Sequence, residues 1–390
     1  MSNFKNTVSC INRFIGHSPS EPDIEAFEKN FWTCRMGEKE GEVAAIVNYR
    51  DEEHIFSATE IMAMFLAKLK AITQNETKNA VSDCVISVPV YYTDSERRAM
   101  LDAAQIAGLN CLRLINDTTA TALCYGLSKN DQFSEVPKTV CFVDIGYSSM
   151  KVTIAAFTKG HLEIKGTSFD QHLGGRQFDE ILVDYFAKNI QEKHKEDVKS
   201  SVRSVLRLRI ASEKIKKVLS RISSTKADLE TESRDFSLEM TREHFEQLVS
   251  DLLVRAEKCI MKALQNAGID AEQVETVEII GGSTRIPAVK SIISRIFNRE
   301  ISTTLNPDEA VARGCAFQCA IESPSFRVRE FGVKDIVSYP IKVTWNSPEG
   351  VKDVEVFPGQ SHLPCVKPLF TTQPLPVELC AYYSQLTDLP

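Results

Sequence analysis

No stretch narrows the possible folds more than 276–321, TVEIIGGSTRIPAVKSIISRIFNREISTTLNPDEAVARGCAFQCAI. Val277, Ile279 and Ile280 form an apolar, β-branched run that reads as a buried strand, and Gly281 and Gly282 break it just before a segment of helical period. Two glycines let a backbone approach a ligand closely, and the following helix presents unpaired N–H groups and the positive end of its dipole. Such a turn suits a phosphate or a nucleoside. A bare Gly-Gly is nevertheless more often a tight strand-to-helix turn with no ligand, so the stretch has to be weighed with its partners.

The 390 residues are 43% hydrophobic and 25% charged, which suits a globular chain of two or three domains. Acidic residues (53) exceed basic ones (46), and the resulting net charge of -7 argues against a nucleic-acid partner or an anionic membrane. Eleven scattered cysteines, with no CxxC pair and no Cys/His cluster at zinc spacing, read as buried free thiols in a reducing compartment; Cys315 and Cys319, one helical turn apart, read as packing residues. The first residues have neither the apolar core of a signal peptide nor the length of a membrane span, which points to the cytoplasm or the nucleus.

In chain order, Val8, Ile11 and Ile15 predict a short amphipathic helix over 6–16, and 30–57 predicts a small meander. Ser57 and Glu60 form a capping box ahead of a helix whose stripe of Ile61, Phe65, Leu69 and Ile72 reads as core. Strand, helix, strand and helix then alternate from Cys84, with Asp117 opening the last helix. From Thr139 three strands follow, then long helices over 178–194, 201–220 and 242–268, with two short strands between the second and third. Beyond Ser323 prolines accumulate and about four short strands predict a β module, fewer than a sandwich uses.

Several strings, in this order and spacing, resemble the heat-shock protein Hsp70 superfamily and more closely its Hsp110 branch, large chaperones that act as nucleotide exchange factors. They are VISVPVYYTDSERRAMLDAAQIAGLNCLRLINDTTATAL, FVDIGYSSM, LGGRQFDE, IIGGSTRIPAVK, LNPDEAVARGCAFQCAI and SPSFRVREF. Tyr147, where a typical Hsp70 member has a more glycine-rich turn, and the basic linker with Arg327 and Arg329 choose the branch. The resemblance implies an α/β, actin-like (ribonuclease-H-like) nucleotide-binding domain of two lobes over 1–322, each on a five-stranded sheet with ATP between them. A linker over 323–331 and an incomplete β-sandwich peptide-binding domain over 332–390 would follow.

The resemblance also assigns roles. Asp144 would hold a Mg²⁺-bound water, Gly146, Ser148 and Ser149 would leave room for phosphate oxygens, and Gly174 and Gly175 would form a second glycine turn beside ATP or ADP. Read alone, Asp117 is an ordinary helix cap; carried over, it is a second Mg²⁺-shell carboxylate where the family usually has Glu. Glu213, Lys216 and Ser220 share one face of a helix, which in isolation reads as a solvated charged face. By resemblance Glu213 and Ser220 bind ribose and adenine edges and the Lys216 stem covers one adenine face. Gly281, Gly282, Ser283 and Arg285 then form the opposite wall, with the Arg285 guanidinium stacked on the base. Asp308 is a helix-start carboxylate by itself and a nucleoside-pocket residue by resemblance.

Three departures from the family pattern bear on activity. The family's opening strand hairpin, with its glycine-rich phosphate loop, precedes the point where this sequence begins, and the first lobe is expected to lack central strands. Asn12 stands where the family has its hydrolytic lysine, and a neutral amide cannot replace an ammonium beside a γ-phosphate. The end of the sandwich and the helical lid do not follow, so the chain reads as truncated at both ends. The favoured function is therefore an ATP-binding co-chaperone and exchange factor for an Hsp70 heat-shock chaperone that also holds unfolded client polypeptides, with weak or absent hydrolysis. An inactive interaction fragment is the main alternative. An ATP-hydrolysing foldase of the Hsp70 type and a sugar kinase on the same scaffold rank below both.

Overall fold

The computed structural model describes residues 3–231, 234–324, 326, 328, 331–347, 350–368 and 378–384. They fall into two compact units. The first holds the described residues up to Ala120 and those of 312–328; the second holds 121–311 and 331–384.

The first unit starts with two 3-10 turns, Phe4–Asn6 and Ile11–Arg13, where a helix over 6–16 was expected. Cys10 takes a left-handed conformation between them (φ 54°), and Arg13, Phe14 and Ile15 are buried one after another, a pattern no single helical face can satisfy. Then come α1 (Pro22–Ala26) and an antiparallel meander of β1 (Arg35–Lys39), β2 (Glu42–Tyr49) and β3 (Glu52–Ser57). Ser57 and Glu60 form the capping box expected at the start of α2 (Ala58–Thr77). The α2 stripe is not core, however. Met62 and Ala63 are buried, whereas Phe65 is 55%, Leu69 43% and Ile72 45% exposed, so the stripe lies off the packed side of the helix.

A second, parallel sheet pairs β4 (Asp83–Val88) with β5 (Asn110–Asn116) around α3 (Asp94–Ile106), and β5 runs directly into α4 (Asp117–Ser128). Thr93 caps α3, its hydroxyl and N–H both donating to Glu96. Among the described residues no strand joins the three-stranded and two-stranded sheets of this unit.

The second unit is built on β6 (Lys138–Ile145), β7 (Met150–Thr158) and β8 (His161–Asp170), all antiparallel neighbours. Next are α5 (Gly175–His194), α6 (Val202–Leu219) and a hairpin of β9 (Ser224–Glu230) with β10 (Asp235–Thr241). The helix expected over 242–268 is two: α7 (Arg242–Leu248) and α8 (Ser250–Ala267), hinged at fully buried Val249, whose ψ of 11° turns the axis. β11 (Thr276–Ile280) pairs parallel with β6 and leads through the glycine turn into α9 (Pro287–Phe297). A short β12 (Ile301–Ser302) edges the sheet, and α10 (Ala310–Glu322) follows.

The remaining strands are β13 (Gly332–Val337), β14 (Ile341–Ser347), β15 (Gly350–Phe357), β16 (Ser361–Leu363) and β17 (Leu379–Tyr383). β15, β14 and β17 make a three-stranded antiparallel sheet, as strand periodicity predicts for a β module. β13 instead pairs parallel with β8, so the main sheet runs β12-β11-β6-β7-β8-β13-β16 and has seven strands rather than five. Arg327 and Arg329 lie outside the described residues.

The core of this unit joins the inner face of β6, β7 and β11 to α5, α6, α8 and α9. Every β7 residue from Met150 to Ala155 is buried, as expected for a strand with neighbours on both edges and helices against it. Leu252, Ala256, Cys259, Ile260, Ala263 and Leu264 give α8 its buried stripe.

Candidate functional site

The register of the main sheet collects three turns at one edge. β6 and β11 are parallel, with Ile280 opposite Asp144; β7 begins with Met150 opposite both Ile145 and Asp170. The C-terminal ends of β6, β11 and β8 therefore emerge together, which places 146–149, 281–285 and 171–175 side by side. Ligands in open α/β sheets bind at such strand ends.

These turns are bonded to one another. Gly146 O accepts from the Gly175 N–H (3.0 Å) and from the Ser283 hydroxyl (2.9 Å), and Tyr147 O accepts from the Arg176 N–H at 2.8 Å. Within the first turn the Gly146 N–H donates to Ser149 O at 3.1 Å. Thr284 closes the third turn by donating to Gly281 O at 2.7 Å. Two glycines are sterically obligatory. Gly281 has φ 82°, and a Cβ there would lie 2.3 Å from Ile145 O and 2.6 Å from an Asp144 carboxylate oxygen; one at Gly174 would lie 2.5 Å from Tyr147 O.

Gly146 and Gly282 differ. A Cβ on Gly282 would meet nothing of this chain within 4 Å, and one on Gly146 would meet only Ser149 O at 3.9 Å. Packing within the protein does not require glycine at either position, and the space in front of both is open for the close approach of a ligand.

Lys216 ties α6 to this cluster. Its ammonium donates to Gly175 O and to Asp179, both at 2.8 Å, and the side chain is buried. The reading of 213, 216 and 220 as a solvated face is thus corrected for Lys216, while Glu213 is half-buried and ion-paired with Lys217 at 2.7 Å. Ser220 turns its hydroxyl back to Lys216 O. Burial raises the Asp179 carboxyl to about 6 against the lowering effect of Lys216, with Glu213 and Glu180 adding to the rise.

Asp144, one residue before the end of β6, is paired with Lys151 on β7 at 3.1 Å. Ser149 is buried and Ser148 half-buried. Arg285 is exposed, and its guanidinium has no partner among the described residues. Asp308 is also exposed, its N–H held by the Asn306 side chain at 2.9 Å; it lies two residues before α10 rather than at its first turn.

In the first unit, Asp117 is the buried first residue of α4 rather than its cap, and its carboxylate accepts from the Thr118 N–H at 2.8 Å. Asn12 is exposed, and its carbonyl accepts the Tyr92 hydroxyl proton.

Two positioning residues were not singled out from the sequence. Glu278, fully buried on β11, accepts from the Leu305 N–H (2.7 Å) and the Thr304 hydroxyl, holding the segment before Asp308 against the strand that ends in the glycine turn. Arg255 on α8 grips Asp170 with two bonds of 2.7 and 2.9 Å and also donates to His172 O, fixing the entry to Gly174. A lone glutamate in TVEII is the only sequence signal for the first; nothing local marks the second.

The profile of the family described as Hsp70 protein matches residues 1–390. The chain belongs to the Hsp70 family. It is 46% identical over 397 residues to heat shock 70 kDa protein 4 of human and of rat, covering 100% of this chain and 47% of each relative. It is 42% identical over 398 residues to heat shock protein hsp88 of Neurospora crassa, covering 56% of that protein. This Hsp70-family chain thus spans about half the length of the curated relatives it matches, and they bear out its place beside the Hsp110 branch. Its fold class is the α/β, actin-like type of the Hsp70 nucleotide-binding domain. Among the described residues of this family member, no helix is long and apolar enough to cross a membrane.

Proposed function

We propose that the chain is the nucleotide-binding part of an Hsp110-type heat-shock chaperone, taking ATP or ADP with Mg²⁺ and promoting nucleotide exchange on an Hsp70 chaperone, with unfolded polypeptides as clients. The observation that carries this reading is the bonded set of three turns at the ends of β6, β8 and β11, with open space before Gly146 and Gly282. Gly146, Ser148, Ser149, Gly174, Gly175 and Gly281 to Ser283 supply a backbone-lined surface suited to phosphates and ribose. Arg285, exposed and unpaired among the described residues, supplies a planar cation for the base. Lys216 acts through structure: its ammonium is already engaged, so its contribution is to hold Gly175 and to offer its stem.

A magnesium ion, when bound, would neutralise phosphate charge, and Asp144, now paired with Lys151, would offer its carboxylate to the water shell of the ion. Asn12 offers an amide where the family uses an ammonium, so nucleotide serves as a conformational ligand and turnover is weak. Assignment to the cytoplasm or nucleus belongs to this same reading.

Titration with a fluorescent ADP analogue tests the site: saturable, Mg²⁺-dependent binding is expected, weakened roughly 5- to 10-fold in Arg285→Ala, a loss of about 1–1.4 kcal/mol. Absence of saturable binding by the folded chain would refute the nucleotide reading. The exchange role is tested separately by adding the chain to an ADP-loaded Hsp70 chaperone. An unchanged ADP release rate, with binding intact, would refute exchange alone and favour an interaction role.

A further inference from the structure

Sequence spacing offers no reason to connect the cysteines of the first unit, yet the fold gathers four of them. Cys84 on β4 and Cys111 on β5 are direct register partners, and β5 shifts register immediately afterwards, pairing Val85 with Arg113. Adjacent strands lie about 4.8 Å apart, within the span a disulfide can bridge without moving the backbone. The two thiols are close enough to interact electrostatically, and the Cys111 thiol donates to the Arg113 carbonyl at 3.3 Å. On α10, Cys315 is buried and lies beside Ser87 of β4, and Cys319 is one turn further on, within electrostatic reach of Cys84. Cys84, Cys111 and Cys319 are all half-buried, so the expectation of inert, buried thiols does not hold for these three. The ligand atoms do not converge as a metal set would: among the described residues the one cluster with such convergence contains no cysteine.

We propose that Cys84 and Cys111 form a redox-active dithiol, a modification site at which a hydroperoxide is reduced and an intramolecular disulfide is formed. Cys111 is the attacking thiol and Cys84 the resolving one. Interaction with Cys84, helped by the backbone at Ile86, outweighs burial and lowers the Cys111 thiol, while the same interaction together with burial pushes Cys84 up. The Cys111 thiolate attacks the terminal oxygen of the peroxide, the O–O bond breaks, and hydroxide leaves, giving a sulfenic acid. The Cys84 sulfur then attacks the Cys111 sulfur; the S–S bond forms, the S–O bond breaks, and the departing oxygen takes up the Cys84 proton as water. Two thiols are oxidised, one H₂O₂ is reduced, and two waters result. The inference is independent of the nucleotide reading, because it uses only β4, β5 and their thiols.

The test uses the full chain, exposed to a slight excess of H₂O₂ near pH 7, quenched, alkylated under denaturing conditions and mapped by peptide mass spectrometry without reduction. A Cys84–Cys111 cross-linked peptide is expected, absent when the chain is denatured before oxidation. Two separately alkylated peptides, or a dominant cross-link to Cys319, would overturn the proposal. Alkylation of the native chain gives a second readout: Cys111 should label with a midpoint below that of an ordinary thiol, about 8.5. In Cys84→Ala the midpoint should rise toward about 8.5, slowing labelling several-fold at neutral pH. Cys259, fully enclosed and raised to about 12, should stay unlabelled throughout and reports that the chain is folded. A Cys111 midpoint of about 8.5 in the wild-type chain overturns the assignment of the nucleophile.

Discussion

His17 makes the stability of the first unit depend on pH. Its ring is buried, with Nδ1 2.5 Å from Glu21 and Nε2 3.2 Å from Glu96. Burial opposes the charged ring, but the hydrogen bonds and charges of the two carboxylates outweigh it and raise the imidazole to about 9. A folded value above the unfolded one means that the native state binds the extra proton between pH 6.5 and 9. The contribution is therefore fully present below about 6.5 and is lost as pH rises through about 9. At about 1.4 kcal/mol per pH unit it amounts to roughly 3 kcal/mol. Glu96 also holds the N-terminus of α3 through Thr93, so the lost charge is felt at a helix start as well as at His17. Urea unfolding, followed by fluorescence at about pH 6, 7.5 and 9.5, should show the wild-type chain losing about 3 kcal/mol more than His17→Gln across that range. The difference between the two chains removes thiols and other groups that titrate in the same window. Parallel pH profiles would refute the reasoning.

Three further outcomes follow from the packing. Lys216→Met strands the buried Asp179 carboxylate and should destabilise the chain by about 3 kcal/mol at neutral pH in chemical denaturation, with Asp179→Asn recovering part of the loss in the double variant. Gly281→Ala forces a Cβ against the Ile145 carbonyl at positive φ and should cost about 2–4 kcal/mol in the same assay, whereas Gly282→Ala, with open space before it, should be within about 1 kcal/mol of wild type and instead weaken nucleotide binding. Leu69→Ser on the exposed α2 stripe should lower stability by less than about 1 kcal/mol, in contrast to about 2–5 kcal/mol for a buried leucine truncation.

How much was legible depended on whether the signal was local. The capping box at Ser57, the strand runs from Lys138 to Asp170 and the glycine turn after Ile280 could be read because turn chemistry and β-branched runs act over a few residues. Failures occurred where a distant contact decided. The apolar period of α2 was correct, but burial of Phe65 and Leu69 needed a surface to pack on, and among the described residues no element covers that face. Lys216 had the spacing of a solvated face, and Asp179, a full helix away in α5, drew it inside. The expected helix over 6–16 gave way to two turns because Arg13 bonds Glu28 and Tyr91, and Phe14 packs edge-on against Trp32.

The family, the order of elements and the glycines that open the turns were already set by residue strings and short-range backbone preference. It took the folded arrangement to establish that the turns after β6, β8 and β11 are bonded into one surface, that β13 lengthens the main sheet, and that Cys84 faces Cys111. Strand register and helix docking bring together residues tens of positions apart, and the distances so created appear in no local pattern of the chain.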